Sequence, residues 1–89
     1  MSIQVHYFAQ AAESLGTTKE SYDVDSIESL FKEIATRHGD NAKTVICTAN
    51  GEPASWILLD LNGTLIHQGT ATTLNDGDIV RLISPISGG

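Results

Sequence analysis

The feature that most constrains the fold is a helical stripe of apolar side chains in the first half of the chain. These residues recur at the spacing i, i+3, i+4, i+7 and i+8, and they are Ile27, Leu30, Phe31, Ile34 and Ala35. Such a stripe predicts an amphipathic helix whose apolar side is covered by another layer. A chain of 89 residues can build one small domain around one core, so the covering layer belongs to the same domain.

Both ends of this helix carry the expected signals. Asp25 and Ser26 are placed to accept backbone N–H bonds at the start, and Glu28 puts a negative charge in the first turn. His38 and Gly39 predict the end, because a positive charge is favourable there and glycine adopts the left-handed conformation without steric cost.

Alternation of apolar and polar residues predicts strands before the helix. Ile3, Val5 and Tyr7 share one face of a first strand, and residues 18–24 give a second strand. The segment 15–17 marks the loop between them, so the sequence predicts an N-terminal hairpin with a generous loop.

Three more strands are predicted after the helix. Residues 56–61 read as a buried strand, Asn62-Gly63 is a strong hairpin signal, and residues 64–67 form the returning strand. A turn at residues 75–78 then leads into a last strand over residues 79–83. Residues 40–55 stay open at this point, because residues 44–47 fit a short strand or a helical turn equally well.

The order strand, strand, helix, open segment, strand, strand, strand predicts an α+β fold with a mixed sheet covered by one main helix. The helix joins the N-terminal hairpin to the later strands, so the first and last strands are expected as central neighbours. This layout is the ubiquitin-like β-grasp. We expect the β-grasp domain to occupy residues 1–84 and a flexible Gly-Gly tail to occupy residues 85–89.

Charge and composition restrict the partners. The formal net charge is -6, and the five basic residues are scattered rather than clustered. Nucleic acid and anionic membranes are therefore poor partners, and a basic protein surface is a good one. Cys47 has no second cysteine to pair with, and no signal peptide is evident, so a cytoplasmic location is predicted.

The end of the chain, Pro85-Ile86-Ser87-Gly88-Gly89, offers no side chain for chemistry, so its reactive group must be the Gly89 carboxylate. Gly88 and Gly89 lack Cβ atoms and can pass through a narrow channel. Ile86 is the expected apolar anchor in a partner's channel, and Pro85 lowers the cost of ordering by fixing φ.

Several motifs resemble a known family. Tyr7-Phe8-Ala9-Gln10 followed by Glu13 and residues 15–17 is similar to the opening of molybdopterin synthase small subunits. Leu61-Asn62-Gly63, Leu74 to Asp78, Val80, Pro85 and Gly88-Gly89 resemble the closing half of the ubiquitin-like sulfur carriers of the MoaD/ThiS family.

The resemblance implies that an adenylyltransferase similar to ubiquitin-activating enzymes uses ATP to activate Gly89. Sulfur from a cysteine desulfurase or a rhodanese-type donor then gives a C-terminal thiocarboxylate. The implied function is a sulfur-donating, non-catalytic subunit of molybdopterin synthase, in a heterotetramer with the large subunit that holds the pterin precursor. The chain itself is expected to bind no cofactor and no metal.

Three other functions stay open. The chain could carry sulfur for thiamine, cysteine or tRNA thiolation, it could be a ubiquitin-like modifier joined to protein lysines, or it could be an interaction module with an idle tail. Genomic adjacency to a large-subunit gene would separate the first of these from the molybdopterin role.

Candidate partner-interface residues are Phe8, Leu61, Ile83 and Arg81, each weighed against ordinary sheet packing or exposure to solvent. The histidines have no ligand-like spacing, and His38 is explained by its place at a helix end. Cys47 is interpreted as a small core residue, and Asp76 and Asp78 as turn residues around Gly77.

Overall fold

A computed structural model describes residues 2–43, 45–66 and 72–84 of the chain. Strand β1 spans Ile3–Phe8, helix α1 Gln10–Leu15, strand β2 Lys19–Tyr22, helix α2 Ile27–His38 and helix α3 Asp40–Lys43. Strands β3, β4 and β5 then span Leu58–Leu61, Thr64–Ile66 and Ile79–Ile83.

The strands form one mixed sheet in the order β2-β1-β5-β3-β4. The central pair, β1 and β5, is parallel, with Val5 opposite Val80, and the other pairings are antiparallel. The first and last strands are thus central neighbours, as predicted, and the β-grasp layout is confirmed.

Helix α2 covers one face of this sheet. Its buried residues are the predicted stripe, Ile27, Leu30, Phe31, Ile34 and Ala35. The side chain of Ser26 accepts a hydrogen bond from the Ser29 backbone N–H at 3.1 Å, which caps the helix start. Gly39 follows the last turn and confirms the predicted stop, but its φ of 59° and ψ of -129° are not the left-handed helical conformation that was predicted.

The two elements near the chain's first turn differ from the prediction. The loop after β1 contains helix α1, which ends at Gly16 in the left-handed conformation with a φ of 71°. The second strand is shorter than the predicted 18–24, because only Lys19–Tyr22 pair with β1.

The predicted buried strand at 56–61 is also corrected. Only Leu58–Leu61 pair in the sheet, and Trp56 and Leu58 are 51% and 54% exposed. Leu59 is buried on the helix side, whereas Leu58 points to the opposite face. The continuous apolar run predicted that all of these residues are buried. Side chains alternate along a strand, however, and one face of this sheet is uncovered, so every second residue of the strand is exposed.

The open segment 40–55 is a compact second cover of the core rather than a strand. Helix α3 leads into a turn in which the Ile46 N–H donates to the Ala42 carbonyl at 2.8 Å. Cys47 forms an isolated bridge with Pro53, and Ala42, Ile46, Cys47 and Ala54 are buried. Thr44 lies outside the described residues.

Turns at one end of the sheet are tied together by polar side chains. Asn62 and Gly63 have φ values of 52° and 94°, which the predicted hairpin turn requires. The Asn62 amide donates to Asp78 Oδ1 at 2.9 Å, and Asn75 N–H donates to Asp78 Oδ2 at 2.8 Å. These bonds connect the β3–β4 hairpin to the turn before β5, so Asp78 is a structural turn residue. No helix in the described part is long and apolar enough to cross a membrane.

Candidate functional site

The face of the sheet opposite α2 carries an exposed apolar row. The register places Phe8 opposite Ile83 and Ile83 opposite Leu58, across β1, β5 and β3. Leu65 on β4 lies on the same face, and Phe8, Leu58 and Leu65 are 41%, 54% and 64% exposed. We call Phe8, Ile83, Leu58 and Leu65 the docking face. Exposed apolar residues gathered in this way are typical of a surface that binds another protein.

A polar row runs beside the apolar one. His6, Arg81 and Asp60 are neighbours in register, and Arg81 Nη1 lies 3.0 Å from Asp60 Oδ2. Arg81 was predicted to face solvent, and it holds this ion pair while its side chain stays 41% exposed. Nε2 of His6 is buried and has no hydrogen-bond partner within the described ranges.

Leu61 does not join this face. It lies two residues after Leu59 on β3, opposite Val80, and packs against the core on the helix side. The period-two geometry of a strand therefore separates Leu61 from the other three predicted interface residues. The register places Leu58, and not Leu61, beside Ile83 on the exposed face.

Two members of the docking face, Leu58 and Leu65, were missed. The alternation that buries Leu59 also predicts exposure of Leu58, so that signal was present in the sequence. For Leu65, the deciding fact is its register opposite Asp60, since its own strand β4 is only three residues long.

Strand β5 ends at the docking face. Its last residue, Ile83, is part of the docking face, and Ser84 follows it. Ser84 is 3% exposed and hydrogen-bonded to the start of α1. The predicted reactive tail, Pro85, Ile86, Ser87, Gly88 and Gly89, lies outside the described residues.

A cluster of polar side chains joins the sheet to the end of α2. Glu20 Oε1 accepts hydrogen bonds from the hydroxyls of Tyr7 and Tyr22, both at 2.7 Å, and lies 2.7 Å from His38 Nε2. The guanidinium of Arg37 stacks 3.9 Å from the centre of the Tyr22 ring. His38 thus has a structural role beyond its position at the helix end.

Ionisation in this cluster follows from burial and hydrogen bonding. Burial opposes the charge on Glu20, but hydrogen bonds from His38, Tyr22 and Tyr7 outweigh it and hold the pKa of that carboxyl below its usual value. Burial, with the neighbouring Glu20 carboxylate, raises the pKa of Tyr22 to about 12. The cluster is therefore neutral at both tyrosines and ionised at Glu20 near pH 7, which suits a structural role.

The remaining sequence candidates lie away from the docking face. Cys47 is buried in the core, and burial raises the pKa of its thiol although Lys43 lowers it. A buried thiol with a raised pKa is a poor nucleophile. The described residues contain no group of three or more acidic, histidine or cysteine side chains that could hold a metal. His67 lies outside the described residues.

The sheet order, the single long helix over one face and the exposed opposite face define a ubiquitin-like β-grasp protein. The sequence model of the ThiS family matches residues 5–89. The chain therefore belongs to the ThiS family, and the match includes the terminal Gly-Gly. No match was found among curated protein sequences.

Solved structures show the same fold. SAMP1 from Haloferax volcanii is similar with a TM-score of 0.78 and 28% identity, over 100% of both chains. A second structure, of small archaeal modifier protein 1 from H. volcanii, has a TM-score of 0.74 and 24% identity, over 96% of this chain and 98% of that chain. A complex of subunits 1 and 2 of the molybdopterin-converting factor from Helicobacter pylori contains a chain with a TM-score of 0.61 and 21% identity, over 100% of both chains. The last two support the fold alone.

Proposed function

We propose that this chain is a sulfur carrier that delivers sulfur from a C-terminal thiocarboxylate on Gly89. The observation that carries this proposal is the match to the ThiS family, which extends to Gly89. The docking face supports it, because it includes Ile83, the last residue of the strand that precedes the Gly-Gly segment.

The proposed chemistry begins on the carboxylate of Gly89. A carboxylate is a poor electrophile, so an activating enzyme that binds ATP first joins it to AMP and releases pyrophosphate. Hydrosulfide then attacks the acyl carbon, AMP leaves with the bonding electron pair, and a thiocarboxylate remains. A persulfide donor instead gives an acyl disulfide, and a thiol cleaves its S–S bond by forming a new disulfide and releasing the thiocarboxylate. In this scheme ATP is bound by the partner and the chain binds no cofactor of its own.

The fold divides recognition from chemistry. Phe8, Ile83 and Leu58 offer an apolar contact that a partner can bury, and burial of a large apolar side chain contributes about 1.5–3 kcal/mol. The net charge of -6 favours encounter with a basic partner surface. The partner supplies the catalytic groups, and this chain supplies the reacting terminus.

The test of the carrier function is a reconstituted activation reaction. The purified chain is incubated with a ubiquitin-activating-type adenylyltransferase of the same cell, ATP and inorganic sulfide, and its intact mass is measured. Replacing one oxygen by sulfur adds about 16 mass units. The shift is expected in the full chain and absent after deletion of Gly89. An unshifted full chain, with an activating enzyme that modifies a known carrier, refutes the proposal.

The proposed client is the pterin precursor of the molybdenum cofactor, with this chain as the small subunit of molybdopterin synthase. The support is the opening Tyr7 to Gln10, Glu13 and residues 15–17, which resembles that subunit. The thiocarboxylated chain, mixed with the large subunit and the precursor, is expected to form the dithiolene and to return to the unshifted mass. Discharge only onto a thiamine, cysteine or tRNA precursor would assign a different client.

A second candidate is a protein modifier. The observation that favours it is the 28% identity to SAMP1 from H. volcanii over the whole of both chains, since SAMP1 abbreviates small archaeal modifier protein 1. Both functions need activation of Gly89. A modifier would appear in cell extracts as conjugates through Gly89 to lysine side chains, whereas a dedicated carrier would appear as the free chain.

A further inference from the structure

Helix α1 lacks a capping side chain of its own. It spans Gln10–Leu15, and its N-cap residue is Ala9, which has a φ of 56° and makes no side-chain cap. The first N–H groups of a helix have no partner within the helix, and a Ser, Thr, Asp or Asn at the N-cap usually accepts one of them. Alanine cannot, so the bond must come from elsewhere in the chain.

Ser84 supplies that bond from the other end of the sequence. Its Oγ accepts a hydrogen bond from the Ala11 N–H at 2.8 Å and lies 3.5 Å from the Phe8 carbonyl oxygen, to which its hydroxyl points as donor. Ala11 is 0% exposed and Ser84 is 3% exposed, so water does not replace either bond. The end of β5 is thereby fixed to the corner between β1 and α1.

We propose that Ser84 is a positioning residue that fixes where the terminal tail leaves the domain relative to the docking face. This role rests on the proposed activation of Gly89. Ser84 follows Ile83 directly, and its hydroxyl donates to the Phe8 carbonyl. Both Ile83 and Phe8 belong to the docking face. The side chain therefore couples the surface that a partner recognises to the base of the segment that reacts.

Five residues follow Ser84, so the position of Ser84 limits the region that the Gly89 carboxylate can reach. At ~3.4 Å per residue this reach is at most about 17 Å. A misplacement of about 1 Å in a reacting group can cost about 100-fold in rate. A displaced Ser84 is therefore expected to slow the reaction at Gly89 while the docking face still binds.

The test uses paired variants at this position. Ser84→Ala removes the acceptor, and Ser84→Thr and Ser84→Val form a pair of equal shape in which only the threonine keeps the hydroxyl. Ser21→Ala makes the same chemical change at an exposed position of β2 and serves as the control. The threonine–valine comparison remains valid if the alanine variant folds poorly, because both members carry the same added methyl group.

The first measurement is independent of activity. Loss of the Oγ acceptor is expected to speed hydrogen exchange at the Ala11 amide by about 10-fold in Ser84→Ala and Ser84→Val, because the amide then has no partner. The Val5 amide, which lies in the centre of the sheet, should keep its rate. Unchanged exchange at Ala11 overturns the capping contact itself.

The second measurement is the steady-state rate of activation of Gly89, followed as pyrophosphate release. The docking face is intact in each variant, so KM for the chain is expected to stay within about 2-fold while kcat falls about 10-fold in Ser84→Ala and Ser84→Val. Ser84→Thr should recover most of kcat, and Ser21→Ala should match the unmodified chain.

The two measurements separate the possible failures. Faster exchange at Ala11 with unchanged kcat overturns the positioning role and leaves Ser84 as a cap only. A fall in kcat that is equal in the threonine and valine variants overturns it as well, because the hydroxyl is then irrelevant. An unmodified chain that is not activated at all refutes the proposed function, while the exchange experiment still decides whether Ser84 holds α1.

Discussion

At the scale of single residues, the polar cluster on Glu20 is the feature least visible in the sequence. Glu20 and Tyr22 lie on the helix side of β2, where Val5 and Ile3 are their register partners. The hydroxyl of Tyr7 and the ring of His38 reach the same carboxylate from β1 and α2. The position of His38 at a helix end is explained by local rules, so no sequence pattern pointed to a partner 18 residues earlier.

Replacing Glu20 by glutamine should reduce the dependence of the unfolding free energy on pH in the acid range. The folded pKa of Glu20 is lowered from 4.5, so its contribution is present above pH about 4.5 and is lost as the pH falls through the folded pKa. Glu20→Gln should therefore cost about 1.5–3 kcal/mol of unfolding free energy at pH 7 and much less at pH 3. Urea unfolding at several pH values measures this difference. Glu33→Gln, at an exposed position of α2, is the control, and a Glu20→Gln cost that does not change with pH would contradict the account.

Among the elements, helix α2 could be predicted almost completely from the sequence, whereas helix α1 could not be predicted at all. Helix α2 carries its stripe, its cap and its stop within one continuous segment, so local rules suffice. Helix α1 is six residues long and takes its capping bond from Ser84, which no local pattern can show. The same limit applies to residues 40–55, whose turns are fixed by contacts with the core.

The cap of α2 gives a direct prediction about stability. Ser26→Ala removes the oxygen that accepts the Ser29 N–H, and it should cost about 0.5–2 kcal/mol of unfolding free energy. Ser55→Ala, at an exposed turn position, should change it by less than about 0.5 kcal/mol. Thermal or urea unfolding followed by circular dichroism compares the two. Equal effects would mean that the Ser26 contact does not stabilise the helix start.

The docking face is a property of the sheet rather than of any one strand. Leu58→Lys places a positive charge on β3 beside Ile83, where it would repel a basic partner surface. The change should weaken binding to the activating enzyme at least about 10-fold. Ala49→Lys makes the same charge change in the exposed loop after Cys47 and should alter binding less than about 2-fold. Isothermal titration calorimetry measures both, and equal weakening by the two variants would place the binding surface elsewhere.

At the scale of the whole molecule, the fold followed from agreement between alternation, helix stripe and turn signals. Strands β1 and β5 were predicted as central neighbours because the helix joins the N-terminal hairpin to the later strands, and the structure pairs them in parallel. Of the four candidate interface residues, Phe8, Ile83 and Arg81 lie on the exposed face of the sheet, and Leu61 packs against the core. The alternation of side chains along β3 decides which face Leu61 occupies, and a shift of one residue would reverse it.

We propose that the domain serves to bind the partner and that the Gly89 carboxylate is the reacting group. The most direct measurement is the intact mass of the chain purified from the cell that makes it, followed by fragmentation of its C-terminal peptide. The account predicts a species heavier by about 16 mass units, with the added mass on Gly89. A chain whose terminus is unmodified in active cells, or whose added mass lies on Cys47, would contradict it.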